Sequence, residues 1–147
     1  MGKSEMTEKN VQASVDDWIK RLQKLYSQIK EWVMPIEGIR VVENQNAVMY
    51  EELMQKFSIS PKPIPTLDIY DGDDLIARLK PIGLWVIGAR GRVDLMLRDG
   101  AVILVDESQE SDPSRWVAHD KLNFRKGQNL SSEYLLNMLG LAKHECV

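Results

Sequence analysis

The chain has 147 residues, 44% of them hydrophobic and 28% charged, with a formal net charge of −3 at pH 7. That length favours one domain with a core large enough to need no metal or disulfide, and the balance of apolar and charged residues excludes a disordered polymer. The acidic balance argues against a generic nucleic-acid binder, which carries a basic face, and the single cysteine, Cys146, excludes an intramolecular disulfide.

No run approaches the roughly 20 apolar residues needed to span a bilayer, and MGKSEMTEKN has no apolar signal-peptide core. Met6 stands where a myristoylation motif has Ser or Thr. A soluble, cytoplasmic protein is expected. Residues 1–12 are polar and without period, and read as a flexible tail ahead of a single α+β domain over 13–147.

SVDDWIKRLQKLYSQIKEWVM carries the clearest helix signal. Val15, Trp18, Leu22, Leu25, Ile29 and Trp32 recur in steps of three and four, which places them on one helix face. Ser14 can cap this helix, Asp16 and Asp17 suit its N-terminal dipole, and Pro35 ends it. The stripe fits two roles. It can cover a sheet, or Trp18, Leu22, Leu25, Ile29 and Trp32 can form an interaction surface for a second copy or a partner protein.

IRVVENQNAVMYEELMQKF reads as two strands joined by a turn at ENQN, with a short helix over AVMYEELMQKF as the alternative. SISPKPIP, with three prolines, reads as a loop or irregular edge. From residue 65 the rhythm is that of an antiparallel meander: TLDIY, DLIARLK, LWVIG, RVDLML, AVILVDE and RWVAH, separated by DGD, PIG, GARG, RDG and SQESDP. NLSSEYLLNMLGLAK closes the chain as a second helix, capped by Ser131 or Ser132 and buried through Leu135, Leu136, Leu139 and Met138. The expected fold is therefore α+β: a twisted meander of about six to eight strands, packed with a long N-terminal and a short C-terminal helix.

A type I′ turn at Asp99-Gly100 would set Arg98 opposite Ala101 and Leu95 opposite Leu104. Val93, Leu95, Leu97, Val102, Leu104 and Asp106 then share the core face, with Asp106 at its rim, and Arg92 lies across from Glu107 on the other face. RVDLMLRDGAVILVDES resembles the central hairpin of restriction-endonuclease-like nucleases, in which an Asp and a Glu-x-Lys hold a divalent metal that activates water. Asp94 matches the first acid. The motif departs at its lysine, because Asp106-Glu107-Ser108 and Glu107-Ser108-Gln109 offer Ser or Gln there. Asp94 and Glu107 are then the only metal candidates, and a solvated hairpin face is the simpler account.

Gly83, Gly88 and Gly91 lack the Lys-Ser/Thr of a phosphate loop and lead into a strand, so they read as turn glycines. Asp71, Asp73 and Asp74 lack calcium-loop spacing. His119 and Asp120 point to opposite faces of a strand, with Ser114 nearby, and make a poor relay. With His144 the only other histidine, no histidine-based metal site is expected, and Cys146 reads as an inert thiol. Arg115, Lys121, Arg125 and Lys126, interleaved with Trp116 and Phe124, could contact nucleic acid, with Arg90 and Arg92 extending the patch.

The order of a leading helix, a meander carrying IGARGRVDL, Trp116 and a closing helix over 134–139 is similar to small uncharacterised bacterial α+β proteins that are sometimes labelled antitoxin-like. That resemblance transfers no catalytic residue; the absence of a convergent catalytic set, the acidic balance and the aromatic helix stripe lead to the expectation of a non-enzymatic antitoxin or immunity-type protein that binds a partner such as a toxin, with no cofactor, and a sheet edge could also pair in a homodimer. A nuclease-like hairpin at Asp94 and Glu107, or nucleic-acid binding through 115–126, are the alternatives.

Overall fold

The computed structural model describes residues 7–86, 88–109, 112–121 and 124–141. Ile87, His144 and Cys146 lie outside them. Helix α1 spans Glu8–Val33, and the amphipathic stripe extends one turn further back than the sequence reading had it. Val11 lies four residues before Val15 and is fully buried, and the Thr7 hydroxyl accepts from the Asn10 N–H at 3.1 Å. The flexible tail expected over 1–12 is therefore helical from Glu8, and Ser14, expected as the cap, lies inside the helix.

Seven strands follow in one antiparallel sheet whose spatial order is the chain order: β1 (Ile39–Met49), β2 (Lys62–Asp71), β3 (Asp74–Gly83), β4 (Arg92–Leu97), β5 (Gly100–Asp106), β6 (Trp116–His119) and β7 (Gln128–Asn129). A short helix α2 (Glu52–Lys56) joins β1 to β2, and α3 (Ser132–Met138) closes the described chain. The Ser131 hydroxyl caps α3 by accepting from the Tyr134 N–H at 3.1 Å. The α+β meander with its long and short helices is the fold.

Three segments differ from expectation. ENQN does not turn: Ile39–Met49 is one strand, bulged between Asn44 and Ala47, and the helix appears only at Glu52–Lys56. KPIP belongs to β2, where Pro63 pairs with β1. The described residues of LWVIG form no strand: β3 runs on through Pro81 and Ile82 to Gly83, and a Val86–Ala89 bridge follows. These prolines shape the sheet. The β2–β3 register starts at Leu67↔Leu79, so Pro63, Pro65 and Pro81 lie where no β2–β3 pair forms. Proline has no N–H to donate to a ladder. The Pro65 carbonyl instead accepts from the buried Tyr26 hydroxyl at 2.8 Å.

The core lies between α1 and one face of the sheet. Trp18, Leu22, Leu25 and Ile29 are buried there and Trp32 is half-buried against them, so the stripe packs within its own chain. Each such side chain contributes roughly 1.5–3 kcal/mol of transfer free energy. The helix crosses the strands diagonally. Trp18 meets Trp116 of β6 at a ring separation of 6.1 Å, Tyr26 reaches β2, and Lys30 pairs with Glu43 of β1 at 2.8 Å. Gly91 permits this approach. It takes φ +140°, and a Cβ there would stand 2.2 Å from the Trp18 ring. Residues from α3 complete the same core, so among the described residues no helix lies on the opposite face of the sheet. No helix among the described residues is long and apolar enough to cross a membrane.

Candidate functional site

The β4–β5 hairpin turns one step earlier than expected. Leu97 faces Gly100, Leu95 faces Val102 and Val93 faces Leu104, so Arg98 and Asp99 form the turn. A type I′ turn at Asp99-Gly100 would need φ > 0 at Asp99. The chain gives the positive φ to Gly100 alone, at +147°. The register moves by two residues in total, which leaves the two faces as assigned: Val93, Leu95, Val102, Leu104 and Asp106 point to the core.

Cross-strand partners do change. Arg92 lies opposite Val105, not Glu107. It clamps Asp94 on its own strand through Nε at 2.8 Å and Nη2 at 3.2 Å. Asp94 lies opposite Ile103, and Glu107 stands four residues further along the chain, just past the end of β5 and roughly 13 Å away at an extended rise. The two acids proposed as joint metal ligands are therefore separated. No group of three or more His, Cys, Asp or Glu that could hold a metal occurs among the described residues.

Asp106 is not a rim residue. It is fully buried and anchors a polar network between sheet and helix. Its Oδ2 accepts from Arg21 Nη1 at 2.8 Å, and its Oδ1 accepts from the Ser108 hydroxyl at 2.6 Å, the Ser108 N–H at 3.0 Å and the Arg115 N–H at 3.1 Å. Burial alone would push its pKa up, but the hydrogen bonds from Ser108 and the Arg115 N–H outweigh it and hold it down at about 2. Arg21 also donates to Asp17 at 2.7 Å and to the Arg90 carbonyl at 2.8 Å, and lies over the Trp18 ring. Arg90 in turn holds Ser108, the Gln109 carbonyl and Asp17. Arg21 carried no separate sequence signal, because a charged residue beside an apolar stripe usually faces water.

On the other face of the sheet, Glu107 meets Arg115 and His119. Its Oε1 lies 3.7 Å from Arg115 Nη2, and its Oε2 lies 3.5 Å from His119 Nε2. His119 Nδ1 stands 2.8 Å from the Phe124 carbonyl oxygen. Of the six basic residues considered for nucleic acid, Arg90, Arg92 and Arg115 are each tied to carboxylates or carbonyls. Lys121, Arg125 and Lys126 are exposed in the β6–β7 connection.

Two further features stand out. A cavity of about 230 Å³ lies where β2 and β3 part, lined by Trp18, Met49, Ile64 and Pro81 among others. The Trp18 N–H has no hydrogen-bond partner among the described residues, and the ring is closed to solvent. At the sheet margin, β2 is the only sheet neighbour of β1 among the described residues, and the end of β1 carries Val48 and is followed by Tyr50, 66% and 46% exposed. No family model, curated protein or solved structure matches the chain.

Proposed function

We propose that this chain is a non-enzymatic protein-interaction module of the antitoxin or immunity type, and that it binds its partner by strand addition at β1. The observation that carries this reading is the margin itself. An 11-residue edge strand, neighboured among the described residues on one side only and ending at exposed Val48 and Tyr50, offers a long row of backbone donors and acceptors. Such edges template pairing with another chain unless a partner covers them. The bulge between Asn44 and Ala47 interrupts a flat edge and so favours a matched partner over indiscriminate stacking. The net charge of −3 suits a basic partner, for which complementarity mainly speeds association.

The test is affinity capture from the protein's own host, run in parallel with Val48→Lys and Tyr50→Ser, both at exposed positions that leave the core intact. A specific partner retained by the wild type and lost by the variants supports the reading. Equal capture by all three proteins, or no specific partner, overturns it. A self-associating edge would register in the same samples as a concentration-dependent dimer, also lost in the variants.

A further inference from the structure

The fully buried Trp18 carries an indole N–H that has no hydrogen-bond partner among the described residues. Buried polar groups are almost always paired, so this donor calls for an acceptor from outside the chain. The same ring lines the cavity of about 230 Å³, together with Met49, Ile64 and Pro81. Its orientation follows from its neighbours. Sheet order sets the cavity residues on β1, β2 and β3, whereas Gly91, just before β4, and Trp116 of β6 lie on the other side of the ring. A Cβ at Gly91 would meet the ring at Cζ3, Cη2 and Cε3, the edge opposite the N–H. The donor is thereby turned to the cavity side.

Glu51 adds an acceptor to the cavity wall. Its two oxygens accept from the Leu84 N–H at 2.8 Å and the Trp85 N–H at 3.2 Å, which fixes the carboxylate and leaves a lone pair on each oxygen. We propose that this cavity binds a small neutral carboxamide, whose carbonyl accepts from Trp18 Nε1 and whose N–H donates to Glu51. Apolar side chains with a few placed polar groups are the ordinary make-up of a small-molecule pocket. A cavity of about 150 Å³ holds benzene, so this one suits roughly nine non-hydrogen atoms. A carboxylate ligand would meet Glu51 with like charge, and an amidinium has no acceptor for the indole. The ring shows no surface to water, so contact requires Met49 to shift, which its flexible, unbranched side chain allows.

The experiment is titration of benzamide, which has that size, into the isotope-labelled full chain, followed by NMR on the indole N–H signals. Trp18→Phe assigns the Trp18 signal by its loss. Saturable binding is expected with a Kd of roughly 1 mM or tighter, and the Trp18 signal should move downfield as its proton is donated. Benzoate and benzamidine should bind at least about tenfold more weakly, since each mismatches one of the two polar groups. Trp18→Phe and Glu51→Gln should each weaken benzamide about fivefold. An unmoved Trp18 signal, equal binding of the three probes, or undiminished affinity in both folded variants overturns the proposal. So does a water cross-peak to the Trp18 N–H that persists at saturating benzamide, which would mean an ordered water only. The three probes are compared on the wild type, so a variant that fails to fold leaves the test intact. The isolated chain is titrated, so the outcome does not depend on a partner at β1.

Discussion

Asp106→Asn is the most informative single perturbation of this fold. The side chain is fully buried, with Oδ1 receiving three hydrogen bonds and Oδ2 receiving the Arg21 guanidinium. Asparagine preserves the shape and can keep an oxygen toward Ser108 and Arg115. Its amide nitrogen then opposes the Arg21 Nη1 donor, leaving a guanidinium only 10% exposed without its buried counter-charge. Breaking such a pair from one side costs about 3–5 kcal/mol. Asp17, itself half exposed, still holds Arg21 Nε, so the lower end, about 3 kcal/mol, is expected. For a chain of this size that lowers Tm by roughly 6–12 °C. Urea denaturation and calorimetry measure it directly. The Arg21→Met and double variants complete the cycle, with the double at least about 1 kcal/mol less destabilised than the sum of the singles. Acid pH gives a second measure. The folded carboxyl titrates at about 2, below its ordinary value of 3.8, so its contribution is present above that ordinary value and is lost as pH falls through 2. The shift corresponds to about 2 kcal/mol, and Asp106→Asn should remove that part of the slope between pH 4 and 2. A cost below about 1 kcal/mol, or strict additivity in the cycle, would refute a coupled buried pair.

Other expectations follow from single contacts. Gly91→Ala forces an L side chain to φ +140° and into the Trp18 ring, costing roughly 2–6 kcal/mol from strain and overpacking together; a thermal melt within 1 °C of wild type would contradict that approach. Val11→Ala should cost about 2 kcal/mol, because the side chain is fully buried, and a neutral result in denaturant would return residues 8–12 to a tail. Asp94→Ala should leave any Mg²⁺ or Mn²⁺ titration unchanged, since Asp94 is clamped by Arg92 and remote from Glu107; a loss of binding on this substitution would revive the paired-acid site. Arg125→Ala with Lys126→Ala should not alter retention on single-stranded nucleic acid, and a salt-dependent loss would favour the nucleic-acid reading.

The parts of this fold that follow a local period were readable in advance. The 3.6-residue stripe from Val15 to Trp32, the alternation along β4 and β5 and the serine cap of α3 each repeat a signal within a few residues. What escaped depends on partners distant in sequence. Residues 39–49 form one long strand because Ile39 through Met49 pair with Asp71 through Lys62, and ENQN looked like a turn only in isolation. KPIP looked like a loop because proline cannot serve two neighbours, yet that stretch of β2 pairs with β1 alone. The turn at Arg98-Asp99 was missed by one step because Asp-Gly is a strong I′ signal and Gly100 satisfies the backbone by itself. The Arg21–Asp106 pair joins residues 85 positions apart, beyond any periodicity.

The acids Asp106 and Glu107 show most directly how this hairpin divides its work. They are chemically near-identical neighbours, and the pleat sends one to each face. Asp106 turns inward to Arg21, accepts four hydrogen bonds and is fully buried, so it is closed to a ligand from solvent. Glu107 turns outward to two flexible or titratable groups at 3.5 and 3.7 Å, distances at which nothing is saturated. A nuclease would need both acids, or Asp94 with one of them, to converge on one ion. The period of two forbids the first arrangement, and the position of Asp94 opposite Ile103 forbids the second.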